Sequence, residues 1–93
     1  MKYVFLDGEK IDSTADVHRI FADMLGFPPY YGKNLDALHD ALTDIAEPVT
    51  VIAVNTAVLE ENLGRRKKGF LRLMEDLTEE KPGFRFLYEP FGE

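Results

Sequence analysis

Three short apolar runs, K-Y-V-F-L at Lys2–Leu6, V-T-V-I-A-V at Val49–Val54 and F-R-F-L-Y at Phe84–Tyr88, are separated by stretches with helical periodicity. This alternation constrains the fold more than any other feature. Strands joined through helices need crossover connections, so they lie parallel in one sheet, and such crossovers are overwhelmingly right-handed. The first run is apolar nearly throughout, the pattern of a strand buried on both faces, and Asp7-Gly8 closes it with a turn. The β-branched middle run belongs in the sheet's interior. A chain of 93 residues is expected to form one domain, 1–93, with a single modest core.

The intervening stretches read as helices. Ser13 followed three residues later by Asp16 is a variant of the capping box, and Val17, Ile20, Phe21, Met24 and Leu25 then share one face. Gly26 supplies a left-handed terminator, and Pro28 and Pro29 forbid continuation. After the middle strand, Asn55 or Thr56 is placed to cap a short helix through about Asn62, with Gly64 as its stop. Phe70, Leu73, Met74 and Leu77 define a last helix that ends before Lys81-Pro82-Gly83.

The most distinctive stretch runs from Phe27 to Ile45. Prolines and Gly32 hold Tyr30 and Tyr31 in a turn at the mouth of a helix that Asn34 is suited to cap. Leu35, Leu38, Ala41, Leu42 and Ile45 collect on one side of that helix. Asp36, Asp40, Thr43 and Asp44 collect on the other, flanked by His39. Acids one turn apart repel, by about 0.2–0.5 kcal/mol per pair, and Asp44 near the C-terminus opposes the helix dipole as well. A solvated face gains nothing from that arrangement, whereas a cationic partner would offset its cost. Adjacent tyrosines on an extended turn diverge, so one ring is expected inside and the other, Tyr30, outside.

Composition narrows the function. Seventeen acids against 11 Lys and Arg give a net charge of −6, and four of those cations sit together at Arg65, Arg66, Lys67 and Lys68. The rest of the surface is therefore strongly acidic, which disfavours nucleic acid and favours basic proteins as partners. There is no cysteine, so no disulfide or thiolate metal site exists. His39 with Asp36 and Asp40 lacks the second histidine of a good zinc set, and no metal or other cofactor is expected. A His-Asp acid–base pair would permit a small nuclease, but such an acidic enzyme would repel its own substrate. The Met1–Leu6 start is too short for a signal h-region, and no 18-residue apolar run follows, which points to a cytoplasmic protein without a membrane partner.

The run Y-Y-G-K-N-L-D-A-L-H-D-A-L-T, Tyr30 to Thr43, resembles the signature of the barstar family of intracellular ribonuclease inhibitors. Weaker similarity extends through the flanking elements over nearly the whole chain. The resemblance implies an α/β, two-layer fold: a three-stranded parallel sheet of order 1-2-3 packed with about four helices. It further implies a stoichiometric inhibitor, not an enzyme, of a barnase-like, secreted, guanyl-preferring ribonuclease. The free inhibitor would be monomeric and the complex 1:1. Contacts to the enzyme's basic cleft would come from Tyr30, Tyr31, Gly32 and Asn34, then from Asp36, His39, Asp40, Thr43 and Asp44. Asp76 on the last helix would match a further acidic contact. Where the family's known inhibitor has a tryptophan, this chain has His39. Two other classes stay open on the residues alone. One is an acidic regulatory module for an unrelated basic protein, the other an RNA-binding or nuclease protein acting through Arg65 to Lys68.

Overall fold

The computed structural model describes residues 1–89; the last four residues of the expected domain lie outside the described part. The elements are β1 (Lys2–Asp7), α1 (Thr14–Leu25), α2 (Leu35–Thr43), β2 (Val49–Val54), α3 (Thr56–Leu63), α4 (Lys67–Glu80) and β3 (Arg85–Tyr88). Short 3-10 turns cover Gly8–Lys10 and Gly64–Arg66. All strand pairs are parallel, in the order β1-β2-β3, so the V-T-V-I-A-V run is central as its β-branched sequence implies. The two-layer α/β architecture is the expected one.

The register sorts the sheet into two unlike faces. Val4, Val51 and Phe86 form one row and Leu6, Ala53 and Tyr88 the next, all turned toward the helices. Val4, Leu6, Val51 and Ala53 are fully buried there, together with Phe21 from α1, Leu38 and Leu42 from α2, and Met74 and Leu77 from α4. Each of these side chains except the small Ala53 contributes roughly 1.5–3 kcal/mol through burial. In the alternate rows, Tyr3-Thr50-Arg85 and Phe5-Ile52-Leu87, the residues of the outer strands are exposed among the described residues. Tyr3 is 53% and Phe5 51% exposed, so the expectation that the first strand is buried on both faces is wrong. As an edge strand, it is covered on one side only.

Two further expectations change at helix ends. Ser13 occupies the N-cap of α1 but its hydroxyl makes no capping bond, and the Asp16 carboxylate instead accepts from the Asp12 N–H at 2.8 Å. Asn55 stands at the N-cap of α3 in the left-handed region, φ 51°, and its side chain donates to Asp7 at 2.8 Å in place of capping. Gly8 makes that approach possible, because a Cβ there would lie 2.1 Å from the Asn55 carbonyl oxygen. On α1, Met24 is half exposed, and His18 takes a buried place beside Val17, Phe21 and Leu25.

Candidate functional site

The second helix is presented by three devices. At its start, Asn34 accepts the Ala37 N–H at 2.8 Å, which satisfies an orphan donor of the first turn. On its inner side Leu38 and Leu42 are fully buried, and Leu35 lies against Gly69 of α4, where a Cβ would come within 2.8 Å of its Cδ1. Gly69 therefore lets α2 close on α4, its main packing partner. Beyond its end, the buried Lys81 ammonium donates to the carbonyls of Ile45 and Glu47, placing positive charge near the helix C-terminus and tying down the exit loop. Lys81 carries no motif, and only the fold shows what it holds.

The paired tyrosines diverge as expected. Tyr30 is 86% exposed. Tyr31 turns inward, packs on Phe27 with ring centroids 4.8 Å apart, and bonds through its hydroxyl to His18 Nδ1 at 2.6 Å. Burial pushes the Tyr31 phenol up to about 12, so it stays protonated at any physiological pH. Tyr31 is thus an anchor of the loop, and His18 is the residue it anchors to. The signal for His18 was its place three and seven residues before Phe21 and Leu25, on the core stripe of α1.

Gly32 gives the turn room that a side chain would take. The left-handed residue is Lys33, φ 56°, while Gly32 serves close packing: a Cβ there would sit 3.2 Å from the Ala37 Cβ. The loop is thereby drawn against the first turn of α2.

Asp36, Asp40, Thr43 and Asp44 all face water. Asp40 has 84% of its side chain exposed. Thr43 donates its hydroxyl to the Asp40 carbonyl at 3.0 Å, and Asp44 closes the helix with its N–H on the same carbonyl at 3.1 Å. Two grooves border this ridge. One, between the loop and α2, is lined by Tyr30, Gly32, Asp40 and Asp44; the other, between α2 and α4, brings Asp36 and His39 beside Asp76 and Arg72. Tyr30, Gly32, Asp40 and Asp44 thus share one flank of α2 and Asp36, His39 and Asp76 the other, while the Tyr31 hydroxyl and the Asn34 carboxamide are engaged within the chain.

His39 sits between two acids, but not the two expected from helical spacing. Its Nε2 is bonded to Glu80 of α4 at 2.8 Å, and its Nδ1 lies 3.7 Å from Asp40. The Glu80 bond, with a smaller contribution from Asp40, raises its pKa above the ordinary histidine value and favours the cation. Asp36 takes no part in this. Among the described residues, no three His, Cys, Asp or Glu side chains are grouped as ligands for a metal ion.

A three-stranded parallel sheet of order 1-2-3 with helices packed on one face, entered through a Tyr-Tyr-Gly loop and an acidic helix, defines a small barstar-like α/β protein. Residues 1–89 match the family model described as Barstar (barnase inhibitor). The chain is also 33% identical over 91 residues, 96% of its length and 100% of the relative's, to the Bacillus subtilis (strain 168) protein named "Putative ribonuclease inhibitor YrdF". The chain belongs to the barstar family. That membership supports a barnase-inhibitor-like role, and points to an inhibitor rather than an enzyme.

Proposed function

We propose that this protein is a 1:1 inhibitor of a secreted, guanyl-preferring ribonuclease of the barnase type, acting in the cytoplasm as an antitoxin-like guard of the cell that makes the enzyme. The observation that carries the reading is the exposed ridge of Asp36, Asp40 and Asp44 next to the outward Tyr30 ring. A ribonuclease cleft must hold RNA phosphates with cationic side chains. Carboxylates one helical turn apart answer such a cleft with charge-assisted hydrogen bonds, which are shorter and roughly twice as strong as neutral ones.

Within this reading the residues divide by what their side chains are free to do. Asp40 enters the cleft in place of a substrate phosphate, and Asp36 pairs at its edge. Tyr30 covers apolar ground with only two torsions to freeze. Gly32 keeps the loop low enough for close backbone approach, while Asn34 and Tyr31, whose polar atoms are engaged within the chain, hold the loop in place. Thr43, Asp44, His39 and Asp76 form the rim. Blocking requires neither cofactor nor covalent chemistry.

Titration of a guanyl-specific ribonuclease with the purified protein tests this. Activity is expected to fall linearly to zero at one equivalent. Undiminished cleavage across a panel of such enzymes would overturn the reading in favour of a different basic partner.

A further inference from the structure

The Arg65–Lys68 cluster has no part in the docking ridge, yet the fold gives it a setting. A cavity of about 290 Å³ lies where the N-terminal ends of α1, α2 and α4 meet, close to the lower limit, about 300 Å³, of small-molecule sites. Its walls are apolar on Val17, Leu35, Leu63 and Phe70. Three cations line it: Lys33 from the tyrosine loop, and Arg65 and Arg66 from the turn before α4. Among the described residues none of these three is within ion-pair distance of a carboxylate, although the chain has 17 acids to offer.

His18 is the independent pointer. It lines the same cavity and is only 4% exposed. Its Nδ1 is taken by Tyr31, and its Nε2 has no partner among the described residues. Every fully enclosed side-chain nitrogen or oxygen in the described residues does have a partner, so Nε2 must reach open space, and the cavity is the space His18 borders. In the tautomer whose Nδ1 accepts the Tyr31 hydroxyl, the ring proton of the neutral imidazole lies on Nε2. A neutral N–H donor thus faces a cation-lined, partly apolar cavity. Burial, then the Lys33 charge, keeps that imidazole neutral.

We propose that this cavity is a binding site for a small phosphomonoester with an apolar or aromatic body, of mononucleotide size or less. Arg65, Arg66 and Lys33 hold the phosphate, His18 Nε2–H donates to the ligand, and the body packs on Leu35 and Phe70. The cavity's size and the acidity of the remaining surface exclude a polynucleotide from this place.

The test is an amide-shift titration of the full chain at low salt with adenosine 5′-monophosphate, adenosine and inorganic phosphate as separate probes. With the monophosphate taken to about 10 mM, saturable shifts are expected at Lys33, Leu35, Arg66 and Gly69. Adenosine and phosphate alone should each bind at least about tenfold more weakly, because each keeps half of the contacts. Arg65→Ser with Arg66→Ser, both exposed, should weaken the monophosphate about tenfold or more without lowering the melting temperature. Lys33→Gly should weaken it too while relieving the left-handed backbone, so that reduced binding goes with equal or higher stability. No saturable shifts, shifts located elsewhere, or affinities unchanged in both variants would overturn the site.

Discussion

Two acids beside α3, Asp7 and Glu60, and those along α2 are treated in opposite ways by the same fold. Near α3, Asp7 accepts from Asn55 and from the Glu9 N–H, and Glu60 accepts from the Tyr88 hydroxyl and from Lys67. Those bonds hold both carboxyls below their ordinary pKa values, chiefly through Asn55 for Asp7 and Tyr88 for Glu60. Along α2, Asp36 and Asp44 have no ion pair among the described residues, and the nearest cation to Asp40 is His39 Nδ1 at 3.7 Å. Polar groups that hold the fold together are satisfied within the chain. Those left facing water, at a repulsive spacing, are available to a partner, and that contrast predicts which substitutions damage binding and which damage folding.

The largest effect is expected at Asp40. Asp40→Ala should weaken ribonuclease binding by about 2–5 kcal/mol, a general range that already includes complexes of this family, while the melting temperature stays where it was. Equilibrium binding and thermal unfolding of the same preparation check both halves. Equal affinities would remove Asp40 from the site.

Salt should act next in size. An acidic ridge steering toward a basic cleft should lose on-rate by about tenfold or more between about 0.01 and 0.15 M ionic strength, as the Debye length contracts from about 30 to 8 Å. Stopped-flow association measures this directly, and a flat profile would mean that other surfaces dock.

Asn55→Ala probes the other side of the comparison. It removes one of the two bonds to the Asp7 carboxylate and places alanine, which tolerates the left-handed region less well than asparagine, at φ 51°, so stability should fall by about 1 kcal/mol in urea denaturation. Inhibition of the enzyme at one equivalent should persist as long as the chain is folded. A loss of affinity without a loss of stability would blur the division between the two regions.

The smallest effect belongs to His39. Because its folded-state pKa is raised by Glu80, the stability it contributes is full below about pH 6.5 and is lost as pH rises through the folded value. Binding has the opposite sign: the imidazolium repels a cationic cleft, so affinity should weaken, by less than about tenfold, as pH drops from about 8 to 5.5. His39→Trp should remove that part of the pH dependence and tighten binding through the larger apolar area. Dissociation constants of both forms across that range, corrected for the enzyme's own titration, give the answer; parallel curves would make His39 peripheral.

The alternation of strands and helices was legible in the sequence because periodicity reports which face of each element is covered, and the ridge was legible because its acids share one side of a 3.6-residue helix. What escaped depends on tertiary neighbours. Tyr3 and Phe5 are apolar, so an edge strand with one open face looks like a central one. Ser13 and Asp16 sit at capping-box spacing, but the Asp12 N–H competes successfully for the carboxylate. The Glu80 partner of His39 and the carbonyls held by Lys81 are, respectively, 41 and 34 to 36 residues away in the chain, beyond any local pattern.

A second candidate docking face lies on the other side of the sheet, where among the described residues Tyr3 is 53%, Phe5 51% and Leu87 44% exposed. Amide hydrogen exchange of the chain, alone and with an equimolar barnase-type ribonuclease, separates the two most directly. Exchange is predicted to slow at Tyr30–Asp44 and at Arg72–Glu80, with β1 and β3 unchanged. Protection confined to β1 and β3, with the tyrosine loop and α2 exchanging as in the free protein, would contradict the claim that the acidic ridge is the inhibitory surface.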